Sequence, residues 1–341
     1  MLCIFCCQQR APSLEHVFPL AIGGTVTTDR VCASCNSTLG SRVDSALTDF
    51  FPVRMRRAEL SLSGNNGRPP AWYEMFLGEA ELVGAVSNRV RTTFNEETGK
   101  LETRQLYHAE DVFTPDGKKS RRITLDERDV GQIPKIIQRE RKRHGLPPLN
   151  EEELAAASAN YTVNAVEQPC LKLSPSISFA YLRHAMIKIA YELAFLWLGE
   201  DYLLDSLANE LREAICDEDI ASTDRVAGSI GFAGQSAPFN QFWTPDQKHH
   251  LAYANIAADK AIVVCVRIFD IYEAVVEVSR DPKRYIGRNV DREKLRFLAI
   301  DSVSGKTVNT SFDEESRRLA RAMSAYGRTP PFNDPLLPLA P

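Results

Sequence analysis

CIFCCQQRAPSLEHVFPLAIGGTVTTDRVCASCNSTLGSRVD, residues 3 to 44, holds two Cys-x-x-Cys pairs, Cys3 with Cys6 and Cys32 with Cys35. They flank the dipeptide Glu15-His16, and the second pair runs directly into Asn36. Zinc takes four thiolates in a tetrahedron, and each Cys-x-x-Cys turn can direct two sulfurs inward. Cys3, Cys6, Cys32 and Cys35 are therefore candidate ligands of a structural zinc ion. Cys7 can stand in for Cys6, but the two-residue spacing favours Cys6. Cysteines used only as small buried apolar residues would not need this spacing. A closed four-thiolate shell leaves no position for water, so any chemistry has to come from other side chains.

Three such side chains lie inside the stretch. Glu15 and Asn36 offer hard oxygens suited to magnesium or a similar divalent cation. His16 titrates near neutrality and can take a proton from water. Neighbours on a strand point to opposite faces, so Glu15 and His16 meet at one site only if the strand bends or the ion sits at its edge.

Composition narrows the class. The 341 residues are enough for one large domain or two ordinary ones, and 44% apolar with 25% charged is a globular balance. The net charge of -4 leaves any nucleic-acid footprint to local arginines. Arg30, Arg42, Arg54, Arg56 and Arg57 follow the motif closely and are candidate phosphate contacts. A solvated surface is the competing reading for each. The basic run from Lys135 to Arg143 reads as a charged helix face.

Eight cysteines, half of them in the two pairs, are not the framework of a small secreted protein. Cys170, Cys216 and Cys265 have no paired neighbour and read as small buried residues. The start MLCIFCC lacks a basic segment followed by an apolar one, so no secretory leader is expected. No apolar run reaches membrane-spanning length, and the cytoplasm is the expected compartment.

Along the chain, Leu14 to Phe18 reads as a short strand ended by Pro19. Asn36 to Leu47 reads as a helix with Leu39, Val43 and Leu47 on one face, capped by Asn36 or Ser37. The SLSGNNGRPP stretch from Ser61 to Pro70 reads as a linker. Residues 71 to about 125 read as β-rich, and Ile133 to His144 as a helix. Ser178 to Leu198, apolar over more than half its circumference, reads as a central buried helix. Tyr202 to Ile215 reads as a helix, three apolar strands follow between His249 and Val278, and Phe312 to Tyr326 reads as a closing helix. The expected fold class is α+β. A unit of residues 1–60 precedes a larger mixed domain, 61–341, with strands packed around the Ser178 helix.

The order Cys3-x-x-Cys6, Glu15-His16-Val17-Phe18-Pro19, Gly23-Gly24, Cys32-Ala33-Ser34-Cys35-Asn36 resembles the HNH endonucleases, in the branch with a four-cysteine zinc. Leu39-Gly40 and Val43-Asp44 fit that branch too, and the resemblance covers about the first 50 residues. It implies a ββα-metal site on a treble-clef zinc scaffold. His16 matches the general base, and Glu15 and Asn36 match the ligands of a catalytic magnesium or manganese ion. The family's middle asparagine has no counterpart between His16 and Cys35; Thr28 is the nearest positional match.

The implied activity is metal-dependent hydrolysis of DNA phosphodiester bonds, with duplex DNA as partner. A homodimer suits double-strand cleavage, and phage defence or restriction is the role suggested by analogy. Two other readings stand beside it. One is a catalytically silent, zinc-stabilised nucleic-acid-binding protein. The other is a nuclease effector switched on by a ligand of the C-terminal domain.

Overall fold

In a computed structural model of the protein, the chain opens with a thiol-bearing turn. The Cys7 N–H donates to the Cys3 carbonyl and the Cys3 N–H to the Gln8 carbonyl, both at 3.0 Å. Cys7 takes a φ of 53°, the left-handed region that such a tight reversal needs. The structure describes residues 1–64, 67–83, 89–113, 115, 117, 119–164, 170–172, 178–233, 248–257, 260–286 and 292–326.

Strand β1 (Pro12–His16) pairs antiparallel with β2 (Thr27–Cys32), Glu15 opposite Thr28 and His16 opposite Thr27. The register shifts between Ser13 and Glu15, a bulge just before the Glu15-His16 dipeptide. In the connection, Gly23 has φ 82°, and a Cβ there would fall 2.3 Å from the Ser302 carbonyl oxygen. A Cβ on Gly24 would fall 1.8 Å from the Phe18 carbonyl oxygen. Both glycines are thus required by close backbone approach.

Helix α1 (Ala33–Leu39) starts three residues before the expected Asn36. Cys32, extended at φ -82° and ψ 156°, is its N-cap residue, so Asn36 and Ser37 lie inside the helix and not at its cap. The reason is the second knuckle itself. Residues three apart on a helix share a face, so starting at the knuckle brings the Cys32 and Cys35 sulfurs together. A π-helical turn, Gly40–Asp44, joins α1 to α2 (Ser45–Thr48). Helix α3 (Phe51–Glu59) follows, with Pro52 in its first turn, where no N–H partner is lost.

The chain divides into two compact units: Met1–Trp72 with Ile177–Pro341, and Tyr73–Ser176. The second contains β3 (Gly78–Leu82), β4 (Arg89–Asn95), β5 (Lys100–Gln105), the hairpin β6 (His108–Phe113) with β7 (Lys119–Thr124), helices α4 (Ile133–Arg143) and α5 (Glu151–Ala159), and β8 (Leu171–Lys172). Its larger sheet has the order β5-β4-β3-β8. Arg139, Arg141 and Arg143 of α4 have partners within the unit, whereas Lys135 and Lys142 are exposed. Arg121 and Arg143 both pair with the buried Glu140, Arg139 lies over the Tyr107 ring, and Arg141 donates to the Pro147 carbonyl.

The first unit resumes with α6 (Phe179–Leu198) and α7 (Ser206–Cys216). Tyr202 to Leu204, expected as the start of α7, belong instead to a 3-10 turn, Glu200–Leu204, that precedes it. A six-stranded antiparallel sheet follows, in the order β14-β13-β10-β11-β12-β9. Its strands are β9 (Gly228–Phe232), β10 (His249–Ala257), β11 (Ala261–Ile268), β12 (Tyr272–Ser279), β13 (Arg296–Asp301) and β14 (Thr307–Ser311). The helix Phe312–Tyr326 closes the described chain.

A helix apolar all round needs cover on every side. The sheet covers α6 at β11 and β12, the π-helical turn and α2 cover it from the N-terminal segment, and α7 packs beside it. One continuous core joins Ile4, Val17, Phe18, Ile22 and Leu47 to Met186, Ile189, Val264 and Ile300. Each fully buried aliphatic side chain contributes about 1.5–3 kcal/mol relative to exposure. The cysteine-bearing segment is therefore built into the core of the larger part of the chain. Among the described residues, no helix is long and apolar enough to cross a membrane. Of the unpaired cysteines only Cys265 is buried; Cys170 and Cys216, at element ends, are exposed.

Candidate functional site

The four sulfurs of Cys3, Cys6, Cys32 and Cys35 lie within 4.8 Å of one another, and Cys6 Sγ is 3.9 Å from Cys32 Sγ. A tetrahedral zinc with bonds of about 2.3 Å sets its sulfurs roughly 3.8 Å apart. The arrangement fits that ion, and Cys7, exposed at the far side of its turn, is not in the group. The Cys32 N–H points at Cys3 Sγ, 3.4 Å away. Burial raises the Cys32 thiol, yet hydrogen bonds from Ser34, Cys35 and Cys3 bring it down to about 6. Burial and the neighbouring thiols push Cys6 and Cys35 up, so within the cluster Cys32 is the thiol favoured as thiolate, the form that binds metal.

Glu15 and His16 part company on β1. The Glu15 side chain turns inward and is 3% exposed. Its Oε1 accepts from Lys188 Nζ of α6 at 2.5 Å. The same ammonium donates to Asp44 Oδ1 at 2.9 Å and Oδ2 at 2.8 Å. Glu192, one helical turn along α6, places Oε2 3.9 Å from Lys188 Nζ. Neither Glu192 carboxyl oxygen has a hydrogen-bond partner among the described residues.

The electrostatics of this cluster follow from burial. Desolvation pulls the Lys188 pKa down, but Glu192, Asp44 and Glu15 together carry it above the usual lysine value, so it stays an ammonium. Desolvation raises Glu15 and Asp44, and Lys188 opposes the rise in both. Burial pushes the wholly buried Glu192 well up from the usual carboxylate range, with Lys188 opposing the rise.

His16 is half-buried. Burial lowers its pKa, the Lys188 charge lowers it further, and Asp44 offsets part of this. The imidazole is therefore neutral at pH 7, the form that accepts a proton. Asn36 lies against β1 from α1, its Nδ2 donating to the Leu14 carbonyl at 2.8 Å and to Ser13 Oγ at 3.2 Å. That leaves its Oδ1 without a hydrogen bond among the described residues. Thr28 stands directly across from Glu15, and its hydroxyl accepts from the Arg30 N–H at 3.2 Å.

The candidate arginines have internal partners. Arg30 pairs bidentately with Glu200 and lies over the Phe195 ring. Arg42 donates to the Ile215 carbonyl, and Arg56 pairs with Glu59. Arg57 is buried and braces Ala21 and Thr48 through their carbonyls. Arg54, on α3, is half-buried.

Sequence reasoning assigned no role to Asp44, Lys188 or Glu192. Their signal was present: two opposite charges four residues apart in an otherwise apolar helix have to be paired. Which partners they take depends on long-range packing that a linear pattern does not carry.

No curated protein matches the chain. No solved structure matches it either. Residues 3–52, which carry the cysteine cluster, Glu15, His16, Asn36 and Asp44, match the family model described as HNH endonuclease, and over that segment the chain is similar to this family.

Proposed function

We propose that the protein is a divalent-metal-dependent endonuclease that hydrolyses phosphodiester bonds of DNA. The observation that carries the reading is a neutral His16 next in sequence to Glu15 on β1, with Asn36 of α1 against the same strand, inside the matched segment. In this reading β1, β2 and α1 form a ββα-metal site, and the four cysteines hold a structural zinc that fixes α1 to the hairpin.

His16 takes the proton from the attacking water. Glu15 and Asn36 fit a hard divalent ion in one specific way. Each has one polar atom committed, Oε1 to Lys188 and Nδ2 to β1, and one oxygen remaining, Oε2 and Oδ1. A magnesium or manganese ion held there would supply Lewis-acid stabilisation of charge on the phosphate and its leaving oxygen. Thr28 buttresses the strand opposite Glu15. Duplex DNA is the substrate the family match favours, and a homodimer would let one site per chain cut both strands. A role in phage defence or restriction extends the same reading by analogy.

Plasmid nicking with magnesium or manganese, with and without chelator, tests the proposal. Metal-dependent conversion of supercoiled to nicked or linear DNA supports it. A second reading, a zinc-stabilised binder that does not cut, is favoured by the Thr28 hydroxyl being bonded to Arg30 and by the absence of the middle asparagine. DNA binding without nicking under every divalent ion would select it.

A further inference from the structure

We infer that Lys188 is a positioning residue of the nuclease site: its ammonium fixes Glu15 by one carboxylate oxygen so that the other is presented to a divalent ion. The inference rests on the nuclease reading above. Three observations carry it.

First, the three N–H donors of the ammonium are all committed, one to Glu15 Oε1 and the others to the two Asp44 oxygens. Lys188 is wholly buried, so its stem is held by packing and the head has no solvent alternative. Second, the contact leaves Glu15 Oε2 without a hydrogen bond among the described residues. A carboxylate held by one oxygen is oriented at the other, as outer partners orient metal ligands. Third, three carboxyl groups, Glu15, Asp44 and Glu192, crowd this one ammonium within 3.9 Å, so the cluster holds more acidic groups than cationic ones.

Glu15 and Asp44 belong to the matched segment, whereas Lys188 comes from α6, outside it. The π-helical turn that ends at Asp44 carries this carboxylate to α6. The positioning of Glu15 is thus completed by the rest of the chain.

The test is manganese binding by the full-length, zinc-loaded protein, followed by electron paramagnetic resonance and without any cleavage step. E15Q defines the site by the manganese affinity it removes. K188M/D44N removes the ammonium together with its second carboxylate, which keeps the net charge of the cluster and limits the cost to folding. The expected result is a cooperative melt close to wild type with manganese affinity reduced roughly ten- to hundredfold.

Should that variant lose its cooperative melt, K188R, which keeps the cation but moves the donor that holds Glu15, takes its place, with an expected loss of about tenfold. Affinity within threefold of wild type makes Lys188 a mere counter-ion, and tighter binding makes it a competitor of the metal. Either result overturns the inference while leaving the nuclease reading standing. If E15Q itself leaves manganese binding unchanged, the ligand assignment falls and the inference with it.

Discussion

Lys188 and Glu15 stand 173 residues apart in sequence and 2.5 Å apart in space. The contact joins the segment that matches the HNH endonuclease model to a helix far outside it. It is not the only such contact. Tyr191 donates its hydroxyl to the Ile4 carbonyl at 2.6 Å, and the Thr25 and Thr307 hydroxyls lie 2.6 Å apart.

A fragment of residues 1–60 should therefore fail to fold well even with zinc. It retains the cysteine cluster but loses Lys188, Tyr191 and the cover over Val17, Phe18 and Ile22. Removing Lys188 alone leaves buried carboxylates without their cation, a loss on the order of 3–5 kcal/mol. The expected outcome is a poorly dispersed amide spectrum and dye binding to exposed apolar surface. A well-dispersed spectrum for the zinc-loaded fragment contradicts this.

Gly23 and Gly40 should respond in opposite directions to alanine. Gly23→Ala meets both a positive φ and the Ser302 backbone, so a loss of roughly 2–4 kcal/mol is expected. Gly40 is helical and open around its missing Cβ, so Gly40→Ala should gain up to about 1 kcal/mol. Urea unfolding of the two variants beside wild type checks both signs.

Much of this was legible in the sequence, and the reasons are physical. The cysteine spacing and the Glu15-His16-x-x-Pro19 order are local patterns, so the cysteine-bearing segment could be read directly. The closing helix Phe312–Tyr326 and the buried Phe179–Leu198 helix follow from side-chain periodicity. The α1 start was missed because Cys32 is not a usual cap; the knuckle geometry overrides cap preference there. The Lys188 cluster and the internal use of Arg30, Arg42 and Arg57 were out of reach. They are pairings between distant segments, and a basic residue looks the same in sequence whether it faces solvent or a carbonyl.

His250 should make the protein acid-sensitive. Its Nε2 bonds the Ile22 carbonyl at 2.7 Å, and its Nδ1 accepts from the Phe269 N–H at 3.2 Å. Burial lowers its pKa to about 4, against an unfolded value near 6.5. Between these values the unfolded chain binds the extra proton and the folded one does not. The His250 contribution is therefore fully present above about pH 6.5, declines as pH falls through this window, and levels off below about pH 4, a loss of about 3 kcal/mol. Thermal melts of wild type and H250Q across this range check it: the variant should show the shallower dependence.

Zinc should be stoichiometric and dependent on four cysteines. Serine at Cys3, Cys6, Cys32 or Cys35 should release the metal and lower the melting temperature, because metal binding and folding are coupled. Serine at Cys7 should leave zinc content unchanged, since Cys7 lies outside the cluster. Metal analysis of the purified variants by mass spectrometry distinguishes the five positions.

The most direct measurement is the nicking rate of H16A beside wild type, on zinc-loaded protein with manganese or magnesium present. His16 is half-buried, and its ring makes no hydrogen bond among the described residues, so its loss should leave the melting temperature within a few degrees. The account predicts metal-dependent nicking by wild type and a loss of at least about 100-fold in H16A. Nicking by H16A at the wild-type rate, under the same metal dependence, would contradict it.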